Sequence, residues 1–399
     1  MTGNRRSARV QQPRDVLVRF HEIGLKGKNQ PMFVRRLVEN LERATAGLGV
    51  ERVWATRMLV RMRLAPEADW ESVRARTATV FGAVKFSLAA RTEPEYAHIS
   101  ALLGETAQAC SFSTFRISAN RTDKTFPLTS HDLNVRLGDE IREASGARVD
   151  LGHPEADFRV VVGRDDAFVY ADDYRGAGGL PVGTGGKVAV MMSGGIDSPV
   201  AAWRMMRRGC KAVLVHFHAF PLVEGRSRDK AKELAESLNA WQYDTRLHLV
   251  PFADVQRRVI LEVPGPLRVI AYRRFMVRIA EAIAAREGAQ ALVTGESLGQ
   301  VGSQTLRNIA TVDEAASMPI LRPLVGLDKS EIIDQAHVIG TYETSILPDE
   351  DCCTLFVPRS PATAVRPEQI AEHEARLDVA ALVAEAAAAA EVFEYHAPV

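Results

Sequence analysis

Apolar and polar positions divide the chain into three zones. In the first, residues 1–68, VLVRF (16–20) reads as a strand. QPMFVRRLVENLERAT (30–45) repeats its apolar positions near every 3.6 residues and predicts a helix, and WATRMLVRMRL (54–64) alternates as a strand. A small α+β unit follows from that order. The second zone, 69–175, pairs helical WESVRARTATVFG and LNVRLGDEIREAS with strand-like FSLAA, FRISAN, FRVVVG and FVYADD, and reads as another α+β module. Residues 176–186, GAGGLPVGTGG, are a linker by composition. In the third zone, 187–365, apolar runs VAVMM, AVLVHF, HLVPF and ALVTG alternate with helical SPVAAWRMMRRG, RDKAKELAESLNA and LRVIAYRRFMVRIAEAIAAREG. That alternation predicts an α/β domain with a doubly wound parallel sheet. The remainder, 366–399, is rich in Ala and Glu and reads as a surface helix.

A length of 399 residues with 46% hydrophobic positions is too much for one ordinary domain, which agrees with the zoning. No apolar run approaches the roughly 18 residues of a membrane span, and no signal-like segment follows the basic start. A soluble, cytoplasmic protein without a membrane partner is expected. The four cysteines, Cys110, Cys210, Cys352 and Cys353, are too sparse for a disulfide scaffold and lack CxxC spacing, so any chemistry they perform is redox or nucleophilic. Residues 1–100 hold 18 Lys and Arg against 10 Asp and Glu, a net of +8; the chain totals are 50 and 50, so the rest is −8. The basic excess fits either contact with a polyanion or a solvated helix face.

Chemistry concentrates at VAVMMSGGIDSPVAA (188–202). A strand, a turn with two glycines and a helix with Pro199 in its first turn bring backbone N–H groups and a positive helix end to one point, a nest for phosphate or pyrophosphate. A plain strand-to-helix turn is the alternative reading of SGG alone. Neither GxxxxGK[ST] nor a helix-opening GxGxxG is present.

The longer pattern SGGIDSPVA resembles the PP-loop of the ATP pyrophosphatase family. That resemblance implies that Ser193, Gly194, Gly195 and Ser198 cradle the β,γ-phosphates of ATP and that Asp197 helps hold the bridging Mg2+. Further along, ALVTGESLGQVGSQTLRN (291–308), PILRPLVGLDKSEI (319–332) and IGTYETSILPDEDCCTLFVPRSPAT (339–363) resemble tRNA 4-thiouridine synthetases of the ThiI type. Upstream, RFHEIGLKGKNQ (19–30) is similar to that family's ferredoxin-like domain and RTDKTFPLTSHDLNVRLGDEI (121–141) to its THUMP domain. The resemblance covers residues 14–365.

By that resemblance, backbone at Met191 and Met192, together with His216, Phe217, Arg273, Gly295 and Gln304, contacts the nucleotide. Each lies at the carboxyl end of a predicted strand or on a facing helix, where open α/β sheets collect ligands. Taken alone, His216 also reads as a core histidine and Arg273 as an ion-pair member. Lys329 matches a family lysine placed to neutralise phosphate, while Asp328 and Glu331 form a potential capping box. Cys352 stands at the catalytic cysteine position, and Cys353 is either a small filler or a resolving thiol. Cys110 and Cys210 read as packing residues.

The implied reaction adenylates O4 of a tRNA uridine, at position 8, with release of pyrophosphate; a persulfide on Cys352 then attacks C4. Only 36 residues follow Thr363, none of them Cys, so no rhodanese-like carrier domain is expected. A cysteine desulfurase or another persulfide donor is the implied partner, and a second role in thiamine synthesis is left in doubt. Lys26, Lys28, Arg121 and Lys124 are the candidate RNA contacts, with the tRNA acceptor region and 3′ end as their target and a homodimer as the typical assembly. Two rival readings are another PP-loop ligase acting on a small molecule and a non-catalytic RNA-binding protein.

Overall fold

The computed structural model describes residues 13–222, 225–348 and 362–396. The chain forms two compact units, Met1–Gly178 and Gly179–Val399.

The first unit is one sheet with its helices on one face. Strand β1 (Asp15–Arg19) leads through a 3-10 turn (Glu22–Asn29) to α1 (Gln30–Ala44), and β2 (Val50–Ala55), β3 (Val60–Leu64), α2 (Trp70–Ala78) and β4 (Lys85–Thr92) follow. Helix α1 buries Phe33, Leu37, Leu41 and Ala44, the 3.6-residue stripe that predicted it. The strand expected over 54–64 is instead a hairpin, because the chain turns where Thr56 N–H donates to Leu59 O at 2.8 Å.

Next come α3 (Tyr96–Gln108), β5 (Thr114–Arg121), α4 (Ser130–Ser145), β6 (Arg148–Val149), β7 (Ala156–Val162), β8 (Ala167–Tyr170) and β9 (Tyr174–Arg175). The sheet order is β2-β3-β1-β4-β8-β7-β5-β6, with β9 also on β4. The division expected at residue 68 therefore cuts a βαββαβ unit that is complete only at β4, whose first half pairs with β1 and whose second half pairs with β8. Helix α4 starts at a Thr129–Asp132 capping box and ends at Gly146 with φ +71°.

The expected linker 176–186 is anchored at both ends. Gly176 N–H donates to Val84 O at 2.9 Å within the first unit, and Leu180 N–H donates to Arg207 O at 2.9 Å within the second. The boundary between the units falls inside it, after Gly178.

The second unit is the doubly wound domain. Its elements are β10 (Lys187–Met192), α5 (Asp197–Arg207), β11 (Lys211–His218), α6 (Arg226–Gln242), β12 (Asp244–Pro251), α7 (Ala253–Glu262), α8 (Arg268–Glu287) and β13 (Leu292–Val293). They continue with α9 (Leu306–Asp313), β14 (Ile320–Leu321), α10 (Lys329–Ile339), α11 (Tyr342–Ser345), α12 (Pro367–Glu374), α13 (Val379–Ala388) and β15 (Glu391–His396). The order is β14-β13-β10-β11-β12-β15, parallel except for β15. Helices α5, α6 and α10 pack together, while α8 carries α7, α9 and α13.

Residues 366–396 are more than the surface helix expected. Ile370, Ala386 and Ala387 enter the core beside Phe275 and Ile279, and β15 pairs antiparallel with β12. Alanine-rich composition concealed this because the strand follows the helix within three residues. Buried Glu374 also accepts from Arg274 Nε at 2.8 Å and Arg278 Nη2 at 2.7 Å, tying α12 to α8.

Candidate active site

Chain order places the site. From β10 the chain builds outward to β11 and β12, then returns to place β13 on the other side of β10. The loops after β10 and β13 therefore part in opposite directions, opening a crevice at the carboxyl ends of the strands. A cleft open to solvent lies there.

Its floor is the end of β10 and the turn into α5. Ser198 Oγ accepts from Ser193 N–H at 2.9 Å and lies 3.1 Å from Ser193 O, which fixes the turn across the helix start. The first N–H groups of α5 have no helical acceptor, so this end attracts an anion. Gly295, after β13, approaches the same point: a Cβ there would stand 2.7 Å from Ser198 N and 2.8 Å from Asp197 C. Only glycine permits that approach.

Of the candidate nucleotide residues, Met191, Met192, Ser193, Asp197, Ser198, His216, Phe217, Arg273, Gly295 and Gln304 line the cavity. Gly194 and Gly195 sit in the turn but not on the wall; Gly194 is buried and Gly195 exposed. His216 is buried, with Nδ1 3.0 Å from Met192 O, its register partner on β10. Gln304 presents a buried Oε1 without a hydrogen-bond partner, an acceptor facing the cavity it lines.

Asp197 is held by residues far away in sequence. Lys329 Nζ donates to Oδ1 at 2.6 Å and Gln300 Nε2 to Oδ2 at 3.2 Å. Lys329 opens α10, and Glu331 accepts from the Asp328 N–H at 3.0 Å, so the sequence's capping reading and its charge reading coexist. Among the described residues no group of three or more His, Cys, Asp or Glu could hold a metal alone. A single carboxylate beside an anion-binding turn suits Mg2+ arriving with phosphate oxygens, its usual mode.

Sequence reasoning missed a charged cluster on the wall. Buried Glu296 accepts from Arg273, from Arg322 Nε at 2.7 Å and from Thr294 Oγ1 at 2.9 Å. Burial opposes its ionisation, but the two guanidiniums outweigh that and hold its carboxyl below the usual range. Arg322 also donates to Asp313 at 3.0 Å; burial works against its charge, yet Asp313 and Glu296 raise its affinity for the proton. TGES and PILRP contain the signal, since an Arg and a Glu close after adjacent strand ends face one crevice.

Cys352 and Cys353 lie outside the described residues. Cys210 is buried as expected; Cys110 is exposed and is not a packing residue, because it follows the last turn of α3 where the core ends. In the first unit, Lys26 is half-buried with Nζ 5.1 Å from the Phe33 ring centre, and Lys28 is exposed. Between them Gly27 adopts φ +52°. Arg121 donates to Phe126 O at 2.8 Å, and Lys124 is exposed in the same loop. Part of the basic excess is spent inside the unit: Arg61 and Arg63 both pair with buried Asp15, at 3.2 and 3.1 Å. No described helix is long and apolar enough to cross a membrane.

Known proteins match along nearly all of the chain. The profile of the family described as Thiamine biosynthesis protein (ThiI) matches residues 183–379, the ThiI ferredoxin-like domain 15–87 and the THUMP domain 97–172. The chain is 50% identical over 381 residues to the "Probable tRNA sulfurtransferase" of Thermus thermophilus, covering 95% of this chain and 93% of that protein. Identity to the protein of the same name from Geobacillus kaustophilus is 42% over 375 residues, 93% of each. A crystal structure of a 4-thiouridine synthetase–RNA complex with bound ATP matches with a TM-score of 0.87 at 34% identity, over 96% of this chain and 100% of that one.

Proposed function

The chain belongs to the ThiI family of tRNA sulfurtransferases, and from that premise we propose that it converts uridine 8 of tRNA to 4-thiouridine in the cytoplasm, using ATP. Oxygen is a poor leaving group from C4 of uracil. O4 therefore attacks the α-phosphorus, pyrophosphate departs, and AMP is displaced when the outer sulfur of a persulfide on Cys352 attacks C4; a second thiol, from Cys353 or an external reductant, then attacks Cys352 Sγ, breaks the resulting S–S bond and frees 4-thiouridine with a disulfide left on Cys352.

The observation that carries this reading is the cavity at the switch point, with the start of α5 on its floor and the Asp197–Lys329 pair at its edge. Departing pyrophosphate concentrates negative charge, and preorganised donors stabilise it without reorganising. Ser193, Gly194, Gly195 and Ser198 supply that cradle, and Lys329, paired with Asp197, supplies a positive charge beside it. Apolar Phe217, with the backbone of Met191 and Met192, suits the adenine, and the open acceptor of Gln304 suits an amine or hydroxyl of the nucleoside. Asp197 would hold Mg2+, which when bound offsets phosphate charge. Lys26, Lys28, Arg121 and Lys124 would contact the acceptor region and 3′ end, with shape rather than base sequence as the cue. A cysteine desulfurase or its carrier would load Cys352, and a homodimer would present RNA and active site together.

Incubation with tRNA, ATP, magnesium and a persulfide source tests the reading through the absorbance of the thiolated base. Wild type is expected to form 4-thiouridine and Cys352→Ser to form none. Equal product from both would overturn the role of Cys352, and tRNA-independent pyrophosphate release would favour a small-molecule ligase.

A further inference from the structure

Glu296 stands where three elements converge. It follows Gly295 in the loop after β13, and its carboxylate accepts from Arg273 of α8, from Thr294 Oγ1 at 2.9 Å and from Arg322 Nε, just beyond β14, at 2.7 Å. Arg322 is gripped in turn by Asp313, the last residue of α9, which accepts from Nη1 at 3.0 Å and also from Nη2. A chain of alternating charge thus runs Asp313–Arg322–Glu296–Arg273, and its last three members line the cleft.

The two arginines are engaged to different extents. Arg322 gives all three nitrogens to carboxylates, and its side chain is 10% exposed. Arg273 gives only Nη1, to Glu296; among the described residues its Nε and Nη2 have no hydrogen-bond acceptor, and its side chain is 21% exposed. A guanidinium is a rigid planar fork of N–H donors, so one fixed corner aims the rest.

The carboxylate is unsuited to other tasks at this place. Although burial opposes its ionisation, Arg273 and Arg322 hold it below the usual carboxylate range, so at neutral pH it is an anion that takes no proton. Nor does the cluster attract a triphosphate by net charge, because two arginines and two carboxylates sum to zero. Stability is a weak reason for it as well, since buried ion pairs are often no more stabilising than apolar packing. What the cluster supplies is a direction for Arg273.

We propose that Glu296 is a positioning residue for ATP: it holds one corner of the Arg273 guanidinium so that the remaining N–H groups meet the phosphates, while Arg322, Asp313 and Thr294 fix the carboxylate. The inference rests on the function proposed above only for the identity of the nucleotide. Glu296 itself forms no bond to substrate and passes no proton.

The test is calorimetric titration of ATP, without tRNA, into the full-chain wild type, Glu296→Gln, Glu296→Asp, Arg273→Met and the double variant Glu296→Gln/Arg273→Met. The sign of the effect decides. Coulomb's law alone predicts tighter binding by Glu296→Gln, because an anion beside a triphosphate is removed. Positioning predicts binding about 10-fold weaker, the loss of one well-aimed charge-assisted contact. Arg273→Met should lose about as much, and the double variant no more than Arg273→Met, because Glu296 acts through that arginine. Glu296→Asp keeps the anion beside Arg322 but is one methylene shorter, so it should melt near the wild-type temperature and still bind ATP about 10-fold more weakly. Unchanged or tighter binding by Glu296→Gln or by Glu296→Asp overturns the inference, and so does a double variant whose loss is the product of the single losses. Wild type that does not bind ATP overturns both this inference and the function. If wild type and variants bind ATP as expected but wild type forms no 4-thiouridine, the function is refuted and the positioning role stands.

Discussion

Replacing Gly295 by Ala tests whether the close approach of the β13 loop to α5 shapes the anion cradle. The added Cβ meets Ser198 N at 2.7 Å, Asp197 C at 2.8 Å and Ser198 Cα at 2.9 Å, all backbone atoms that no rotamer change can move. Ordinary contact begins at 3.4 Å, so the two segments must separate by 3.4 − 2.7 = 0.7 Å. Overpacking of this kind costs about 1–3 kcal/mol of stability. The displaced atoms are the turn that would hold pyrophosphate, and a misplacement approaching 1 Å lowers rates by roughly 100-fold. Gly302→Ala in the following loop is the control, because its Cβ meets only Thr363 Cγ2, at 3.4 Å. Calorimetric titration with ATP, the thiolation assay and thermal melting should show Gly295→Ala impaired in all three and Gly302→Ala near wild type. Wild-type ATP affinity and thiolation in Gly295→Ala would refute the reasoning.

Other consequences follow from the charged clusters. Lys329→Met removes the ammonium at 2.6 Å from Asp197 and should lower the thiolation rate by about 100-fold with the fold intact by circular dichroism. Glu374→Gln leaves Arg274 and Arg278 without their shared carboxylate and should cost about 3–5 kcal/mol in urea unfolding at neutral pH. Burial opposes ionisation of Glu374, yet Arg278 and Arg274 depress its pKa below the ordinary 4.5. Its contribution is therefore full above that value and lost as pH falls through the native one, so the variant should show a flatter acid limb of stability than wild type.

The candidate site was legible wherever its residues are neighbours in sequence. Ser193, Asp197 and Ser198 sit in one turn whose geometry follows from a strand, two glycines and a helix start, and each lines the cavity. Helix α1 was legible for the same reason, since its buried stripe is a local period. Glu296 was not, because its meaning depends on Arg273, 23 residues away, and Arg322, 26 residues away. Gln300 was missed likewise: only the fold brings it to Asp197 across 103 positions. The hairpin at 56–59 was hidden because Thr56-Arg57 carries no Gly, Pro, Asn or Asp to mark a turn between the apolar positions on either side.

Sequence alone determined most of the local elements, the strand–turn–helix from β10 into α5 and the order of the zones, because short-range periodicity and backbone sterics act within a few residues. Tertiary structure decided which charges meet: Lys329 with Asp197, Glu296 between two arginines, Glu374 beneath α8. It also decided that residues 391–396 complete the second sheet and that β4 joins both halves of the first. Such pairings arise when distant segments bury their faces together, and no local pattern encodes which partner a buried charge or an unpaired edge will find.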